Sequence, residues 1–161
     1  MKKLFAIAIL GSVVLVSCKK SSGGSAPLQA TINGKATSFG TEASGATSSA
    51  GGEYTILISG ISGTTSPTEF AVTIESANPI VAGTYTDTST ARFGGLQYIP
   101  NGTTTFESAG QVSHPTTVVV TSVSSTQIAG TFQGTVYAGQ DSTTTPTTIT
   151  NGTFNVKLTA Q

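Results

Sequence analysis

The stretch that decides the fold is IAGTFQGTVY, residues 128–137. Apolar residues and glycines hold its even positions: Ile128, Gly130, Phe132, Gly134 and Val136. Thr131, Gln133 and Thr135 hold odd positions between them. Because successive side chains of a β-strand point to opposite faces of its sheet, this stretch predicts a strand with one buried face and one solvated face.

The same two-residue period recurs along the chain. It is clear in residues 70–74 and 154–158, where apolar side chains alternate with polar ones. Proline, which would remove a hydrogen bond from the strand ladder, is absent from these runs. No segment after residue 27 shows a sustained helical period. We therefore predict an all-β fold, a single antiparallel β-sandwich or barrel-like domain of roughly eight to ten short strands.

Glycine pairs mark the expected ends of these strands. Three Asn-Gly pairs favour the positive φ angles of tight hairpins. They are Asn33-Gly34, Asn101-Gly102 and Asn151-Gly152. Gly94-Gly95 interrupts a strand-like stretch and suggests a β-bulge. Residues 43–52 and 140–146 are small, polar and without a period, so we predict that both segments are loops.

The start of the chain resembles the signal sequence of a bacterial lipoprotein. Two lysines precede an apolar run over residues 4–16, which is shorter than the roughly 20 residues of a membrane-spanning helix. The run ends in the tetrad LVSC at residues 15–18. This tetrad is similar to the lipobox, in which a signal peptidase cuts before the cysteine and the thiol is acylated. The alternative is an ordinary secretory signal with a chance cysteine.

This resemblance divides the chain into three parts. We predict a helical signal peptide over residues 1–17 and a lipidated Cys18 with a flexible Ser/Gly linker over residues 18–27. The all-β domain then covers residues 28–161. The implied partner of Cys18 is a membrane, which the protein contacts through its lipid anchor. Cys18 is the only cysteine, so no disulfide can form within the chain.

The charge of the chain argues against a nucleic-acid partner. Charged residues make up 9% of the sequence, and the mature chain clusters basic side chains only at Lys19-Lys20. Loss of Lys2 and Lys3 with the signal peptide leaves a small net negative charge. Nucleic-acid surfaces need clustered Lys and Arg that neutralise phosphates. We therefore predict no nucleic-acid partner.

Residue types that carry catalysis are sparse. His114 is the one histidine, no serine stands in a Gly-x-Ser-x-Gly motif, and no metal-ligand spacing is evident. We predict a non-enzymatic protein with no catalytic residue, no metal and no cofactor. The alternative is a hydrolase in which two carboxylates face each other across a substrate. Its candidates are Glu53, Glu69, Glu75 and Glu107.

Glycan binding is the other alternative. Sugar-binding surfaces use exposed aromatic rings, and this chain has no Trp and 4 Tyr. Tyr137 has the polar-face parity of its strand and is the first candidate for an exposed ring that contacts a ligand. Tyr98, near a predicted turn, is the second. Ser142 directly follows Asp141, and this pattern resembles the acceptor motif for O-glycosylation of exported proteins in Bacteroidota.

Four short motifs resemble those of small envelope lipoproteins of Bacteroidota. They are ATINGK at residues 30–35, GTY at 83–85, IAGTF at 128–132 and ITNGTFNV at 149–156. Together they are similar to an uncharacterised lipoprotein family of all-β domains, in which the chain ends as a strand, a turn and a final strand. The resemblance implies a cell-envelope location and no agreed activity.

The leading prediction is a lipid-anchored envelope protein with a binding or structural role. Its expected partner, beyond the membrane, is a glycan or an envelope protein. We expect attachment to the outer membrane. Surface-exported lipoproteins of this kind carry acidic residues after the cysteine, where this chain has Lys19 and Lys20, so we favour the periplasmic side over the cell surface.

Overall fold

The computed structural model describes residues 26–65, 67–110 and 113–160, and this part of the chain is built from β-strands. The eleven strands are β1 (Leu28–Ile32), β2 (Lys35–Ser38), β3 (Thr41–Ala50), β4 (Glu53–Ser62), β5 (Thr68–Ser76), β6 (Gly83–Thr86), β7 (Arg92–Ile99), β8 (Phe106–Ser108), β9 (Thr117–Val123), β10 (Gln127–Ala138) and β11 (Thr147–Ala160). A short 3-10 turn, Pro100–Gly102, lies between β7 and β8.

The strands form one sheet that closes on itself. Their order is β2-β1-β11-β3-β4-β5-β7-β8-β10-β9-β6, and an additional pairing of β10 with β11 joins the two arms into a ring. Two layers result. The five-stranded layer is β3-β4-β5-β7-β8, and the six-stranded layer is β2-β1-β11-β10-β9-β6.

The two longest strands connect these layers. β11 pairs with β1 through residues 149–154 and with β3 through residues 158–160. β10 pairs with β9 through residues 128–133 and with β8 through residues 136–138. Each long strand thus lies in the six-stranded layer for most of its length and meets the five-stranded layer at its C-terminal end.

The all-β sandwich or barrel-like prediction is confirmed, with two corrections of detail. The described residues form eleven strands, where the sequence predicted roughly eight to ten. The sheet is also mixed, because β11 and β3 run parallel. A parallel pair needs a connection that crosses over, and here the chain between β3 and β11 contains most of the domain.

Aromatic rings fill the space between the layers. Phe70 of β5 stacks on Phe132 of β10, with 5.2 Å between ring centroids. Phe39 packs on Phe70 at 5.1 Å, and Phe154 of β11 stacks on Phe132 at 6.3 Å. All four side chains are buried. The inward faces of β1, β4, β5, β7, β9, β10 and β11 add Val, Ile or Leu side chains to this core, which is the physical reason for the two-residue period.

The prediction of a loop over residues 43–52 is wrong. Residues up to Ala50 belong to β3, which pairs with β4 in regular register from Ser44 to Ala50. Because its side chains are small, this strand shows no alternation of apolar and polar residues. The same small side chains allow β11 to pack close to β3. A Cβ at Gly45 would lie 2.6 Å from Leu158 Cδ2. Gly51 and Gly52, both with positive φ, form the two-residue hairpin turn to β4.

The Asn-Gly pairs have three different outcomes. Asn33-Gly34 forms the predicted hairpin between β1 and β2. Asn101-Gly102 also has positive φ angles but lies in the longer connection from β7 to β8. Asn151-Gly152 is not a turn, because β11 continues through it, and the predicted final strand-turn-strand is therefore wrong.

A β-bulge accounts for Asn151. Phe132 pairs with Gly152 and Gly134 pairs with Ile149, so two residues of β11 lie opposite Gln133. Asn151 takes φ 51° at this point. Asn tolerates this left-handed conformation, and continued pairing with β10 on both sides keeps the chain extended.

The bulge predicted at Gly94-Gly95 is also wrong. β7 pairs with β5 in continuous register through both glycines. Both positions instead allow a close approach, which is the other common reason for glycine inside a strand. A Cβ at Gly94 would lie 2.9 Å from the Tyr85 carbonyl oxygen, and one at Gly95 would lie 2.9 Å from the Phe93 ring.

The close packing of β10 can be tested with Gly130→Ala. The added methyl group would contact the Val119 carbonyl oxygen and the Phe154 ring, so we expect the free energy of unfolding to fall by about 1–3 kcal/mol. Gly40→Ala is the matched control, because the nearest heavy atom to its Cβ would be 3.5 Å away. Urea unfolding of the full chain in detergent measures both; equal midpoints would contradict the packing at Gly130.

Candidate binding face

The candidate site is the outer face of the five-stranded layer. A row of cross-strand partners crosses the middle of this face, on β4, β5, β7 and β8. Ser59 pairs with Ala71, Ala71 with Gln97, and Gln97 with Glu107. Two adjoining depressions of about 400 and 350 Å³ lie on this face and share Leu57, Ala71 and Gln97. We call them together the acidic groove, for the carboxylates described next.

Four carboxylates lie on this face. The outward parity of β4 and β5 places Glu53, Glu69 and Glu75 there, and β8 adds Glu107. Glu69 lines one end of the groove, while Glu75 and Glu107 line the other depression. Since a strand rises about 3.3 Å per residue, the backbone positions of Glu69 and Glu75 on β5 are about 20 Å apart.

An aromatic ring forms part of the floor beside Glu75. Phe93 is the cross-strand partner of Glu75, and its half-buried ring lies over Gly95, where a Cβ would be 2.9 Å from the ring. Leu57 of β4 adds an apolar side chain that is 43% exposed. The floor between the carboxylates is therefore mixed, since these two apolar side chains lie beside Thr73 and Gln97, and it is lowered where Ala71, Thr73 and Gly95 carry small side chains or none.

A hydrogen bond fixes one side of the groove. The Gln97 side-chain amide donates to Glu107 Oε1 over 2.8 Å. The remaining Glu107 oxygen and the Gln97 carbonyl are acceptors. This pair thus presents further hydrogen-bond acceptors to any ligand that lies in the groove.

The groove perturbs one of its carboxyl groups. Burial raises the pKa of Glu75 above its ordinary value, and the negative charge of Glu53 raises it further. A hydrolase would require two of the four candidate carboxylates to converge. The structure brings Glu53 and Glu75 within electrostatic reach of each other, and a catalytic role for them stays a prediction. In the residues described, no cluster of His, Cys, Asp or Glu could hold a metal ion.

The expected exposed ring of Tyr137 is wrong. Its side chain is 7% exposed. Polar-face parity suggested exposure, but β8 lies beside β10 here and places Glu107 opposite Tyr137. The following turn begins with a hydrogen bond from the Gln140 amide to the Tyr137 carbonyl oxygen, 3.2 Å. A ligand contact of Tyr137 stays a prediction, but an open aromatic platform is absent at this position.

Tyr98 is a partly buried packing residue. Its ring lies 6.4 Å from Phe70 and 6.0 Å from Phe106, measured between centroids. Burial raises the pKa of its hydroxyl group. The ring also borders a separate depression beside Lys35 and Thr68. Its contact with a ligand stays a prediction.

The remaining residues singled out in the sequence lie outside the groove or outside the residues that the structure describes. His114 is exposed, and its Nδ1 lies 3.1 Å from Ser113 Oγ. Ser142 is exposed in a turn held by Asp141, whose carboxylate accepts hydrogen bonds from the Thr143 amide and hydroxyl. These bonds lower the pKa of Asp141. Glycosylation of Ser142 stays a prediction, and Cys18 with the whole signal peptide lies outside the described residues.

Sequence reasoning missed Phe93 and the groove itself. Phe93 belongs to the outward row of β7, but the Gly94-Gly95 pair interrupts the alternation that would have shown its side. The one feature of the sequence that indicates the groove is the two-residue period of β5, which places Glu69 and Glu75 on the same face.

The comparisons with known proteins give no relative. No protein-family model, no curated protein and no solved structure matches the chain significantly. No helix among the described residues is long and apolar enough to cross a membrane.

The charge coupling in the groove can be tested with Glu75→Gln. Because the folded-state pKa of Glu75 is raised, its contribution to stability is full below the ordinary value and is lost as the pH rises through the folded-state pKa. We therefore expect Glu75→Gln to be more stable than the parent at pH 7. This advantage should disappear below pH 4.5, the ordinary value.

Glu53→Gln serves as the partner variant in a double-mutant cycle. It should also stabilise the protein at pH 7, and the two changes together should give less than the sum of their separate effects. Urea unfolding at both pH values measures the cycle. Strict additivity would show that the two carboxylates do not interact.

Proposed function

We propose that this protein is a lipid-anchored protein of the bacterial cell envelope that works by binding a partner, without catalysis. The lipobox-like tetrad ending in Cys18 and the Ser/Gly segment after it support the anchor. The family resemblance supports attachment to the outer membrane, and Lys19-Lys20, in place of the acidic residues of surface-exported members, favour its periplasmic side. A flexible linker would let the domain reach partners a short distance from the bilayer.

The acidic groove is the proposed contact surface. The single observation that carries this proposal is its arrangement of exposed apolar side chains between carboxylates on one outer sheet face. Exposed Leu57 and half-buried Phe93 offer apolar contact area. The carboxylates and the Gln97–Glu107 pair offer directional polar contacts. Binding sites combine these two elements, since apolar area supplies affinity and polar groups supply orientation.

A glycan-binding role is the second candidate, and Phe93 is the observation that favours it. A ring that is partly open to solvent can stack on a sugar, while the carboxylate and amide groups beside it bind the hydroxyl groups of that sugar. A hydrolase acting through Glu53 and Glu75 is the third candidate. Both share the groove with the leading proposal and differ from it in the ligand or the reaction.

The anchor can be tested with Cys18→Ala in cells. We expect the parent to incorporate a labelled fatty acid and to sediment with membranes, and the variant to lose both properties because its acylated thiol is absent. Replacement of Ser17 by Ala is the control, since it leaves the thiol in place. Fatty-acid labelling that survives Cys18→Ala would contradict the proposal.

The ligand class can be tested with a screen of glycans and peptidoglycan fragments against the full chain in detergent. If the partner is an envelope protein, we expect no saturable glycan binding. Saturable binding that is lost in Phe93→Ala, with the unfolding midpoint retained, would instead assign the groove to a glycan. Release of a product that is abolished by Glu75→Gln would assign it to a hydrolase.

A further inference from the structure

We propose that the acidic groove binds an extended polypeptide segment of an envelope protein that carries Arg or Lys at both ends of the bound stretch. This inference rests on the proposed function, because it names the partner of the same surface. Three features of the groove support it: its charge, the residues around Phe93, and the spacing of its carboxylates.

The charge of this face has one sign. Glu53, Glu69, Glu75 and Glu107 all project from the five-stranded layer. The basic residues in the described part of the chain lie elsewhere. Lys35 is on β2, Lys157 is on the outer side of β11, and the Arg92 guanidinium lies 5.6 Å from the ring centre of Tyr85. A cationic partner would thus meet carboxylates on a face from which none of the described Lys and Arg side chains projects.

Phe93 and Glu75 form a place suited to a guanidinium group. They are cross-strand partners, and the Phe93 ring lies over Gly95 with part of its surface open to solvent. An Arg side chain can stack on such a ring while its N–H groups pair with the adjacent carboxylate. Binding would also relieve the repulsion between Glu75 and Glu53, which now raises the Glu75 pKa.

The carboxylate spacing favours an extended segment along β5. The two depressions share Ala71 of β5 and reach Glu69 at one end and Glu75 at the other. An extended peptide rises about 3.3 Å per residue, and its side chains at even separations point to the same side. Basic residues six positions apart would therefore lie about 20 Å apart and face the groove together.

Other ligand classes fit less well. Anionic polymers, including nucleic acids, would meet four carboxylates. A bound metal ion would need a tighter cluster of ligands, and none occurs in the described residues. A neutral sugar could contact the Phe93 ring and the Gln97–Glu107 pair, but it would not use the negative charge of the other carboxylates.

The test measures binding of fluorescein-labelled peptides to the full chain in detergent. The probe is Arg-Ser-Thr-Ser-Thr-Ser-Arg. One matched peptide has Gln in place of both Arg residues, and another has its two Arg residues three positions apart, so that they point to opposite sides. We expect saturable binding of the probe and clearly weaker binding of both matched peptides. Equal binding of the two Arg-containing peptides would overturn the proposed spacing.

Two protein variants with the same change in net charge locate the binding. Glu75→Gln should lower the affinity for the probe by about three- to tenfold, because it removes one ion pair and part of the guanidinium site. Thr131→Lys adds the same unit of positive charge on the outer face of the six-stranded layer and should leave the affinity nearly unchanged. Equal losses in both variants would overturn the proposal in favour of general charge attraction.

The outcomes separate this inference from the function on which it rests. If the probe does not bind, and a glycan binds in a manner that depends on Phe93, the surface is right and the polypeptide partner is wrong. If neither class binds to a protein with a normal unfolding transition, the binding role of this face is wrong as well. In both cases the inference is rejected.

Discussion

The pairing of β10 with β11 is the interaction on which the remaining structure depends. It runs from Gln127↔Lys157 to Val136↔Thr147 and closes the sheet into a ring. Its register sets each central Phe opposite a glycine, Phe154 opposite Gly130 and Phe132 opposite Gly152. The glycines leave room for the neighbouring rings, which stack on each other and on Phe70 of the other layer. The same ladder therefore closes the ring and supplies two of the aromatic rings that fill the space between the layers.

Closure determines which side chains remain available for function. Every strand of the ring must send one set of side chains inward, and that set is largely apolar and carries no charged group among the described buried residues. Burial of a charged group would cost several kcal/mol, so the carboxylates of β4, β5 and β8 lie on the outer face. There the small residues Ala71, Thr73 and Gly95 lower the floor between them. The proposed binding face is thus a consequence of the closed sheet, and the lipid anchor proposed at Cys18 would hold it near the membrane.

The sequence predicts the all-β class, the main strands and the inward residues, because the two-residue period directly reflects which face is buried. The sequence does not predict the segments whose conformation depends on tertiary contacts. β3 has small polar residues and no period, and its place follows from pairing with β4 and close contact with Leu158. Asn151-Gly152 has the local chemistry of a turn, but pairing on both sides makes it a bulge. For the site, the period of β5 predicts that Glu69 and Glu75 share a face, whereas burial of Tyr137 by its neighbours and the position of Phe93 require the assembled layer.

The most direct test of the account places a photoreactive residue in living cells, in separate variants, at Thr73 on the floor of the acidic groove and at Thr131 on the opposite outer face. Mass spectrometry then identifies the crosslinked segment of the partner. We expect crosslinks at position 73, to a segment with Arg or Lys at both ends, and none at position 131. Crosslinks at position 131 alone, or at neither position in a correctly anchored protein, would contradict the claim that this protein acts through the acidic face.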